Sequence, residues 1–356
     1  MEHLLHGLSA HTFVAIVIAV ALAFDFLNGF HDAANSIATI VVTRTLTPLQ
    51  AIVMAGAANF VGYFTFSHAI AKMVSKGIVH IEMLPTVESK LALLLAALLG
   101  AVIWNIITWL MGLPTSSSHA LIGGLVGAGL AAAGPSMVIF GSVSVHAGKI
   151  AVTGVWPIFL FIVVAPLLGM IGSSIFTIII LNLFRKITPT RAATLFKKLQ
   201  LFSAAWYSIG HGTNDAQKTM GVITLALFSG GLAATMDIPG WVALSCYTAI
   251  GLGTAFGGWR IVKTMGTRIT KIRAVEGFCA ESAAALVLMG TAHFGIPVST
   301  THVISGSIMG VGAVEQAGKV RWVTARKIVW AWIITIPATA ACAALCYAVI
   351  RALHAI

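Results

Sequence analysis

Gly-Phe-His-Asp-Ala-Ala-Asn at residues 29–35 has a counterpart in the second half of the chain, Gly-Thr-Asn-Asp-Ala-Gln-Lys at residues 212–218. A second related pair is Gly-Leu-Pro-Thr-Ser-Ser-Ser-His at 112–119 and Gly-Ile-Pro-Val-Ser-Thr-Thr-His at 295–302. The members of this pair are separated by the same number of residues as the members of the first pair. This shared interval, here called the repeat offset, indicates that a whole half of the chain was duplicated. In a membrane protein, such internal repeats predict a transporter whose site lies at the repeat interface.

The composition is that of a protein embedded in a bilayer. Of the 356 residues, 58% are hydrophobic and only 9% are charged, whereas a soluble domain carries about 25% charged residues. Because several apolar stretches reach the length that a spanning helix needs, we predict an all-α integral membrane protein with about 10–12 membrane segments. Two glycine-rich stretches, 119–133 and 302–317, are short and predict half-helices or re-entrant arms.

The basic residues predict how the two halves are oriented. Loops 184–199, 259–273 and 318–327 contain Lys and Arg but no acidic residue, so the positive-inside rule places them in the cytoplasm. By the repeat offset, the counterparts of the last two loops are 76–90, where two Lys are offset by two Glu, and 135–144, which is uncharged. Equivalent loops therefore differ in charge, as expected if they lie on opposite sides of the membrane.

This charge asymmetry predicts one transport unit built from two inverted repeats, residues 1–183 and 184–356, with broken or re-entrant helices and both termini outside. A nucleic-acid role for the net charge of +11 is disfavoured, because the charges are dispersed between hydrophobic stretches. The chain contains no Gly-x-x-x-x-Gly-Lys-Ser/Thr motif for nucleotide binding. We therefore expect no cofactor, and we expect an ion gradient to supply the energy.

Asp32 and Asp215 interrupt apolar stretches at equivalent positions of the two halves. A charged side chain at the centre of a membrane helix costs ~2.5–3.5 kcal/mol on insertion scales, so such acids mark sites for cations, protons or polar substrates. Glycines precede both aspartates. They predict local unwinding of each helix, which would turn backbone groups toward a ligand.

The two proline-containing motifs are typical of helix starts, because Pro suits the first turn and Ser or Thr caps free backbone amides. A helix N-terminus attracts anions, and each motif adds three consecutive hydroxyl groups. The sequence therefore predicts a site for a tetrahedral oxyanion between two helix tips. The candidate ligands are Ser116, Ser117, Ser118, Ser299, Thr300 and Thr301. The histidines that follow them, His119 and His302, are expected to orient the loops or to titrate with pH.

Together these motifs resemble those of the inorganic phosphate transporter (PiT) family. The family's repeated signature, close to Gly-x-Asn-Asp-x-Ala-Asn, is matched at 29–35 and less fully at 212–218, and its second repeated element is matched at 112–119 and 295–302. The resemblance covers nearly the whole chain. It implies an all-helical fold of two inverted repeats, a central phosphate site, symport driven by sodium or protons, and a homodimer.

The resemblance also implies roles for individual residues. By motif match, Asp32, Asn35 and Asp215 would bind substrate and coupling ions, and Glu281 would be an acidic position near the translocation path. No resident metal site is assigned. The expected location is the cell (inner) membrane of a bacterium, in contact with membrane lipids.

Two residues depart from the family signature. His31 replaces its first Asn and is expected to orient the loop or to respond to pH, whereas Lys218 stands where the second repeat would carry the counterpart of Asn35. An ammonium group has only donors and cannot ligate sodium. Lys218 is therefore expected to take a cation's place, or to pair with Asp215 or with phosphate. We predict proton coupling, as in the bacterial branch that this variant resembles, with phosphate carried alone or as a neutral complex with a divalent metal.

Three alternatives remain at this point. A sodium-coupled phosphate symporter would share the same motifs. A sulfate permease would also carry a tetrahedral anion, although phosphate carries protons that two aspartates could accept, and sulfate does not. An integral-membrane lipid-diphosphate phosphatase could use a serine near a histidine, but neither serine motif contains an arginine to clamp a diphosphate. We therefore expect a transporter and not an enzyme.

Overall fold

The computed structural model describes residues 2–64, 69–146 and 149–354, and nearly all of them are helical. The α-helices are α1 (Glu2–Val42), α2 (Pro48–Val61), α3 (Ala69–Gly77), α4 (Val87–Met111), α5 (Ser117–Ala133), α6 (Val155–Leu183), α7 (Pro189–Ser229), α8 (Gly240–Phe256), α9 (Trp259–Lys263), α10 (Ala274–His293), α11 (Thr300–Glu315) and α12 (Trp322–His354). Between α5 and α6, strands β1 (Ser142–His146) and β2 (Lys149–Thr153) form an antiparallel hairpin that the sequence did not predict.

Five helices of the described chain are long and apolar enough to cross a membrane: α1, α4, α6, α10 and α12. The pair of segments Pro48–Phe64 and Ala69–Gly77, whose axes differ by 81°, makes a sixth if it is taken as one broken span. On α6, large apolar side chains such as Leu160 and Ile171 are exposed, as expected of a surface that faces hydrocarbon. The prediction of an all-α, multi-pass membrane protein is therefore confirmed, apart from the short β-hairpin.

Equivalent helices of the two halves make equivalent packing contacts. Helices α1 and α7 are both 41 residues long, and the short helices α5 and α11 begin at Ser117 and Thr300, which are related by the repeat offset. Each short helix packs on the final helix of the other half, α5 on α12 and α11 on α6. Likewise α1 packs on α8, and α7 on α2. Apolar surface of each half is therefore buried against the other half.

Glycines bring the short helices into backbone contact with their partners. A Cβ atom added to Gly127 would lie 2.1 Å from the Ala340 carbonyl oxygen, and one added to Gly310 would lie 2.3 Å from that of Met170. The number of residues that separates Met170 from Ala340 is smaller than the repeat offset. The constant offset therefore ends after the short helices, because the first half contains additional residues in the region of the β-hairpin.

The predicted unwinding at the two aspartates is wrong, because α1 and α7 continue through Asp32 and Asp215 without a break. The preceding glycines serve close packing instead. A Cβ atom on Gly29 would lie 2.2 Å from the Ile250 carbonyl oxygen of α8, and one on Gly212 would lie 2.6 Å from the Asn59 carbonyl oxygen of α2. Continuous helices also keep the backbone groups paired within the apolar environment.

Two apolar clusters lie on either side of a polar centre. One includes Phe24, Leu94 and Ile250, and the other includes Ile37 and Tyr207. Between them, the described chain buries the hydroxyl, amide, imidazole and carboxyl groups of both repeated motifs. The fold therefore holds its polar side chains in the interior of a structure that is apolar outside.

We expect Gly127→Ala to destabilise the protein, because its new Cβ would collide with the Ala340 carbonyl oxygen, and overpacking costs about 1–3 kcal/mol. The matched control is Gly290→Ala in α10, where, apart from the adjoining backbone of α10 itself, no atom of the described chain lies within 4 Å of the new Cβ. Thermal unfolding in detergent should show a lower midpoint for Gly127→Ala and an unchanged or higher one for the control. Equal midpoints for the two variants would contradict the packing argument.

Candidate functional site

The two hydroxyl-rich motifs cap their helices in the same way. Ser116 is the N-cap of α5, and its hydroxyl accepts a hydrogen bond of 3.2 Å from the backbone amide of His119. Ser299 caps α11 through the amide of His302, also at 3.2 Å. A hydroxyl that accepts at a cap still has a hydrogen to donate. Both helices therefore begin with free backbone amides and hydroxyl groups, which is the arrangement that attracts anions.

The N-termini of α5 and α11 meet at one carboxylate. Ser118 donates to Asp215 Oδ1 at 3.3 Å, and Thr300 donates to Asp215 Oδ2 at 3.1 Å. All three side chains are buried, Asp215 completely. Ser117, beside Ser118, is also buried, and its hydroxyl has no hydrogen-bond partner among the residues that the structure describes. The two helix tips, which the sequence predicted to enclose an oxyanion, thus both contact the Asp215 carboxylate in this structure.

Lys218 is the buried cation of this centre. Its ammonium group donates to Asp215 Oδ1 at 2.6 Å, to the Val298 carbonyl oxygen at 3.0 Å and to the Ser118 hydroxyl. Only 2% of the Lys218 side chain is exposed. An ammonium group has three hydrogens to donate, and three oxygen atoms accept them here. Of the roles considered from the sequence, pairing with Asp215 is therefore the one that this structure displays.

Asn35 occupies the equivalent place in the first repeat. Its amide donates to the Thr301 hydroxyl at 2.9 Å, and Thr301 in turn donates to the Thr115 carbonyl oxygen at 3.2 Å. By the repeat offset, Thr301 and Thr115 are the counterparts of Ser118 and Val298, the two residues that Lys218 contacts besides Asp215. In the first repeat, the Thr301 hydroxyl is thus hydrogen-bonded directly to the Thr115 carbonyl oxygen. In the second repeat, the Lys218 ammonium donates to both of the corresponding oxygen atoms, those of Ser118 and Val298.

His31 fixes the other aspartate to the neighbouring helix. Its Nδ1 lies 2.7 Å from Asp32 Oδ1, and its Nε2 lies 3.1 Å from the Thr108 hydroxyl on α4. Thr108 also accepts a hydrogen bond of 3.0 Å from Thr115, which precedes the α5 cap. All four side chains are buried. His31 therefore connects Asp32 to the segment that leads into the first helix tip.

His211 belongs to the site although the sequence analysis missed it. Its Nε2 lies 3.3 Å from Asp215 Oδ2 without hydrogen-bond alignment in the described chain, and its Nδ1 lies 3.2 Å from Asn59 Oδ1. Ligand atoms of Asp32, His211 and Asp215 all lie within 4.8 Å of one another, so these residues could hold a cation. Such an ion would share Asp215 with the Lys218 ammonium. The available signal was an imidazole in an apolar helix, one turn before Asp215.

Glu281 lies in a separate buried cluster. Its Oε1 accepts hydrogen bonds from Thr39 at 2.5 Å and from Gln200 at 3.0 Å, and its Oε2 accepts one from Ser203 at 2.5 Å. These partners come from α1 and α7, the helices that carry the two central aspartates. The structure therefore places Glu281 beside the central site and not within it.

His119 and His302 pack against each other behind the helix tips. Their ring centroids are 4.7 Å apart in an edge-to-face arrangement, and His302 also stacks on Trp332 with a centroid distance of 4.0 Å. The Trp332 indole donates to the Pro114 carbonyl oxygen at 3.0 Å. The two histidines thus join the two tips to each other and to α12, an arrangement compatible with the predicted orienting role.

Helices α1 and α7 run antiparallel across the site. Thr219 donates to Asp25 Oδ1 at 3.0 Å near one end, and Thr43 donates to Gln200 Oε1 at 2.8 Å near the other. As residue numbers rise along α1, the numbers of its α7 partners fall. Two helices at equivalent places in the two halves therefore point in opposite directions.

Comparison with known proteins identifies the family. Residues 28–343 match the profile of the phosphate transporter family, designated PHO4. The chain belongs to the phosphate transporter family. A probable low-affinity inorganic phosphate transporter of Rhizobium meliloti is 48% identical over 332 residues, which cover 93% of this chain and 94% of the relative. One from Bacillus subtilis is 42% identical over 337 residues, which cover 94% and 96% of the two chains.

A solved structure described as the sodium-dependent phosphate transporter has the same overall fold. It superposes with a TM-score of 0.82 at 26% identity, and the match covers 96% of this chain and 99% of the other. The resemblance inferred from the repeated motifs is thus confirmed. The family is one of transporters, so the lipid-diphosphate phosphatase alternative is not supported.

We expect Lys218→Met to destabilise this transporter by about 3–5 kcal/mol, because it leaves a buried carboxylate without its cation. Adding Asp215→Asn should recover much of the loss, since the uncompensated charge is then removed. The exposed Lys186 provides the control, Lys186→Met. Unfolding midpoints in detergent measure all four proteins. Equal effects of the two single lysine variants would show that the buried ion pair does not stabilise the fold.

Proposed function

We propose that this chain is a secondary active symporter that carries inorganic phosphate across the membrane by alternating access, coupled to protons. The observation that carries the proposal is the placement of Lys218, whose ammonium group is bound by three oxygen atoms at the meeting point of two helix tips. Membership of the phosphate transporter family supports phosphate as the substrate. The names of the relatives support the same substrate.

Phosphate would bind between the N-termini of α5 and α11. The positive ends of both helices and their free amides favour an anion there. Ser117 offers an unused hydroxyl in the described chain, and Ser118, Thr300 and Thr301 surround Asp215 and Asn35. Asp32 and Asp215 can accept hydrogen bonds from a protonated phosphate, which sulfate would not donate. The carboxylates therefore favour phosphate over the sulfate alternative.

We infer the identity of the coupling ion from the position of the Lys218 ammonium group. A mobile cation that bound the same oxygen atoms would have to displace the ammonium group, and the ammonium itself cannot ligate sodium. A fixed positive charge at this place can neutralise Asp215 without an ion from solution. We therefore assign coupling to protons, carried by the buried acids. The transported species is phosphate alone or a neutral complex in which a divalent metal is cargo.

Sodium coupling is the second candidate, and one observation favours it. Asp32, His211 and Asp215 present three closely spaced ligand atoms that suit a cation, and the solved structure of similar fold is described as sodium-dependent. The two candidates differ in whether an ion from solution joins Lys218 at Asp215. The ion gradient that drives phosphate uptake distinguishes the two candidates.

We also propose the orientation predicted from the charges, with the basic segments 184–199, 259–273 and 318–327 on the cytoplasmic side and both termini outside a bacterial inner membrane. The first of these segments is only partly a loop, because α7 begins at Pro189. The antiparallel course of α1 and α7 supports the inverted repeats, residues 1–183 and 184–356. The homodimer remains a prediction from the resemblance alone.

The test is phosphate uptake into proteoliposomes under a proton gradient or a sodium gradient imposed separately. We expect the proton gradient alone to drive accumulation, and excess sulfate to compete poorly. Lys218→Asn restores an amide oxygen at this place and should make uptake respond to sodium, whereas the exposed control Lys186→Asn should behave as the parent protein does. Accumulation by the parent protein that requires sodium would overturn the proton assignment. Inhibition by sulfate equal to that by phosphate would overturn the substrate assignment.

A further inference from the structure

Asp25 is a buried acid that neither repeated motif contains. It lies on α1, seven residues before Asp32, and is 0% exposed. Seven residues are about two helical turns, or ~10.5 Å, so Asp25 and Asp32 lie on the same side of α1. By the repeat offset, its counterpart in the second repeat is Ser208. Asp25 therefore adds to the interior an acid that the duplication does not account for.

The surroundings of Asp25 provide few partners for a charged carboxylate. Thr219 donates to Oδ1 at 3.0 Å, whereas Oδ2 has no hydrogen-bond partner within the described ranges. The thiol of Cys246, a weak donor, lies beside the carboxyl group. Neighbouring buried residues of α1, Ala21 and Phe24, belong to one of the apolar clusters.

The titratable groups that face Asp25 do not neutralise it. On α7, Lys218 is next to Thr219 in sequence, but its ammonium is bound to Asp215 at 2.6 Å. These two charges offset each other. On α8, the facing groups are Cys246 and Tyr247, which are uncharged when protonated. A carboxylate left charged and unpaired in such a place is costly, and protonation removes that cost.

The position of Asp25 relative to the centre suggests what a proton there would do. Its partner Thr219 is one helical turn beyond Asp215 on α7, whereas the Glu281 cluster contacts Gln200 and Ser203, before Asp215. The two acids therefore lie on opposite sides of the central site along the same antiparallel helices. In the proposed orientation, Glu281 is on the cytoplasmic side, with the basic segments, and Asp25 is on the outer side.

We propose that Asp25 is a proton-binding site of the transport cycle on the outer side of the phosphate site. It takes one proton from outside, holds it in the conformation described here, and releases it when the site opens to the cytoplasm. This inference rests on the proposed proton-coupled phosphate transport, and it assigns a residue to the loading step.

The test compares Asp25→Asn with Asp237→Asn, the same chemical change at an exposed residue. Two transport modes are measured in proteoliposomes: accumulation of phosphate driven by a proton gradient, and exchange of internal for external phosphate at equal pH. Exchange requires no net proton movement. We expect Asp25→Asn to reduce accumulation to the value measured without a gradient while it still exchanges phosphate, and Asp237→Asn to retain both modes. Asp25→Glu, which restores a carboxyl group, should recover part of the accumulation.

Each other outcome is decisive. If Asp25→Asn accumulates phosphate as the parent protein does, Asp25 is not part of the coupling. If both modes are lost and Asp25→Glu restores neither, the residue is only structural and the proposal is wrong. A parent protein that ignores the proton gradient would refute the proposed coupling itself. Infrared difference spectra then test the residue separately, since a protonated carboxyl signal that is present in the parent protein and missing in Asp25→Asn reports the bound proton, and its absence from both overturns the proposal.

Discussion

The buried ion pair between Lys218 and Asp215 is the interaction on which the centre of this transporter depends. It joins α7 to both short helices, because Ser118 of α5 contacts both charged groups and Thr300 of α11 contacts the carboxylate. The Val298 carbonyl oxygen, just before the α11 cap, completes the set. Charges removed from water are retained only when paired and hydrogen-bonded. The positions of the two helix tips are therefore tied to the position of one lysine.

Much of this arrangement follows from the repeated motifs. From the sequence we predicted that Asp32 and Asp215 are site residues, and that the two Pro-containing motifs begin helices capped by Ser or Thr. These predictions depend on local patterns that recur at one offset. The sequence also predicted that Lys218 replaces an Asn at a site position, but pairing with Asp215 was only one of several roles considered. The choice among them required the geometry, because the other two acceptors, Ser118 and Val298, lie far from Lys218 in the chain.

Other features could not be predicted for physical reasons. Glycine permits both unwinding and close helix packing, so the residues before Asp32 and Asp215 did not distinguish a broken helix from a tightly packed one. His211 and the partners of Glu281 are single polar residues in apolar helices. Their roles appear only where α1, α7 and α10 meet. The β-hairpin lies beyond the short helix α5, where the constant offset ends, and the residues at the same offset in the second half belong to the helix α12.

We propose that the Lys218 ammonium takes the place of a coupling cation beside bound phosphate. The most direct measurement is an electron cryomicroscopy map of the protein in lipid nanodiscs with phosphate and sodium present. We expect phosphate density between the Ser117 and Thr300 helix tips, with Lys218 still bound to Asp215 and no separate ion among its three oxygen acceptors. A sodium ion in that position with Lys218 displaced, or phosphate bound away from both helix tips, would contradict this proposal.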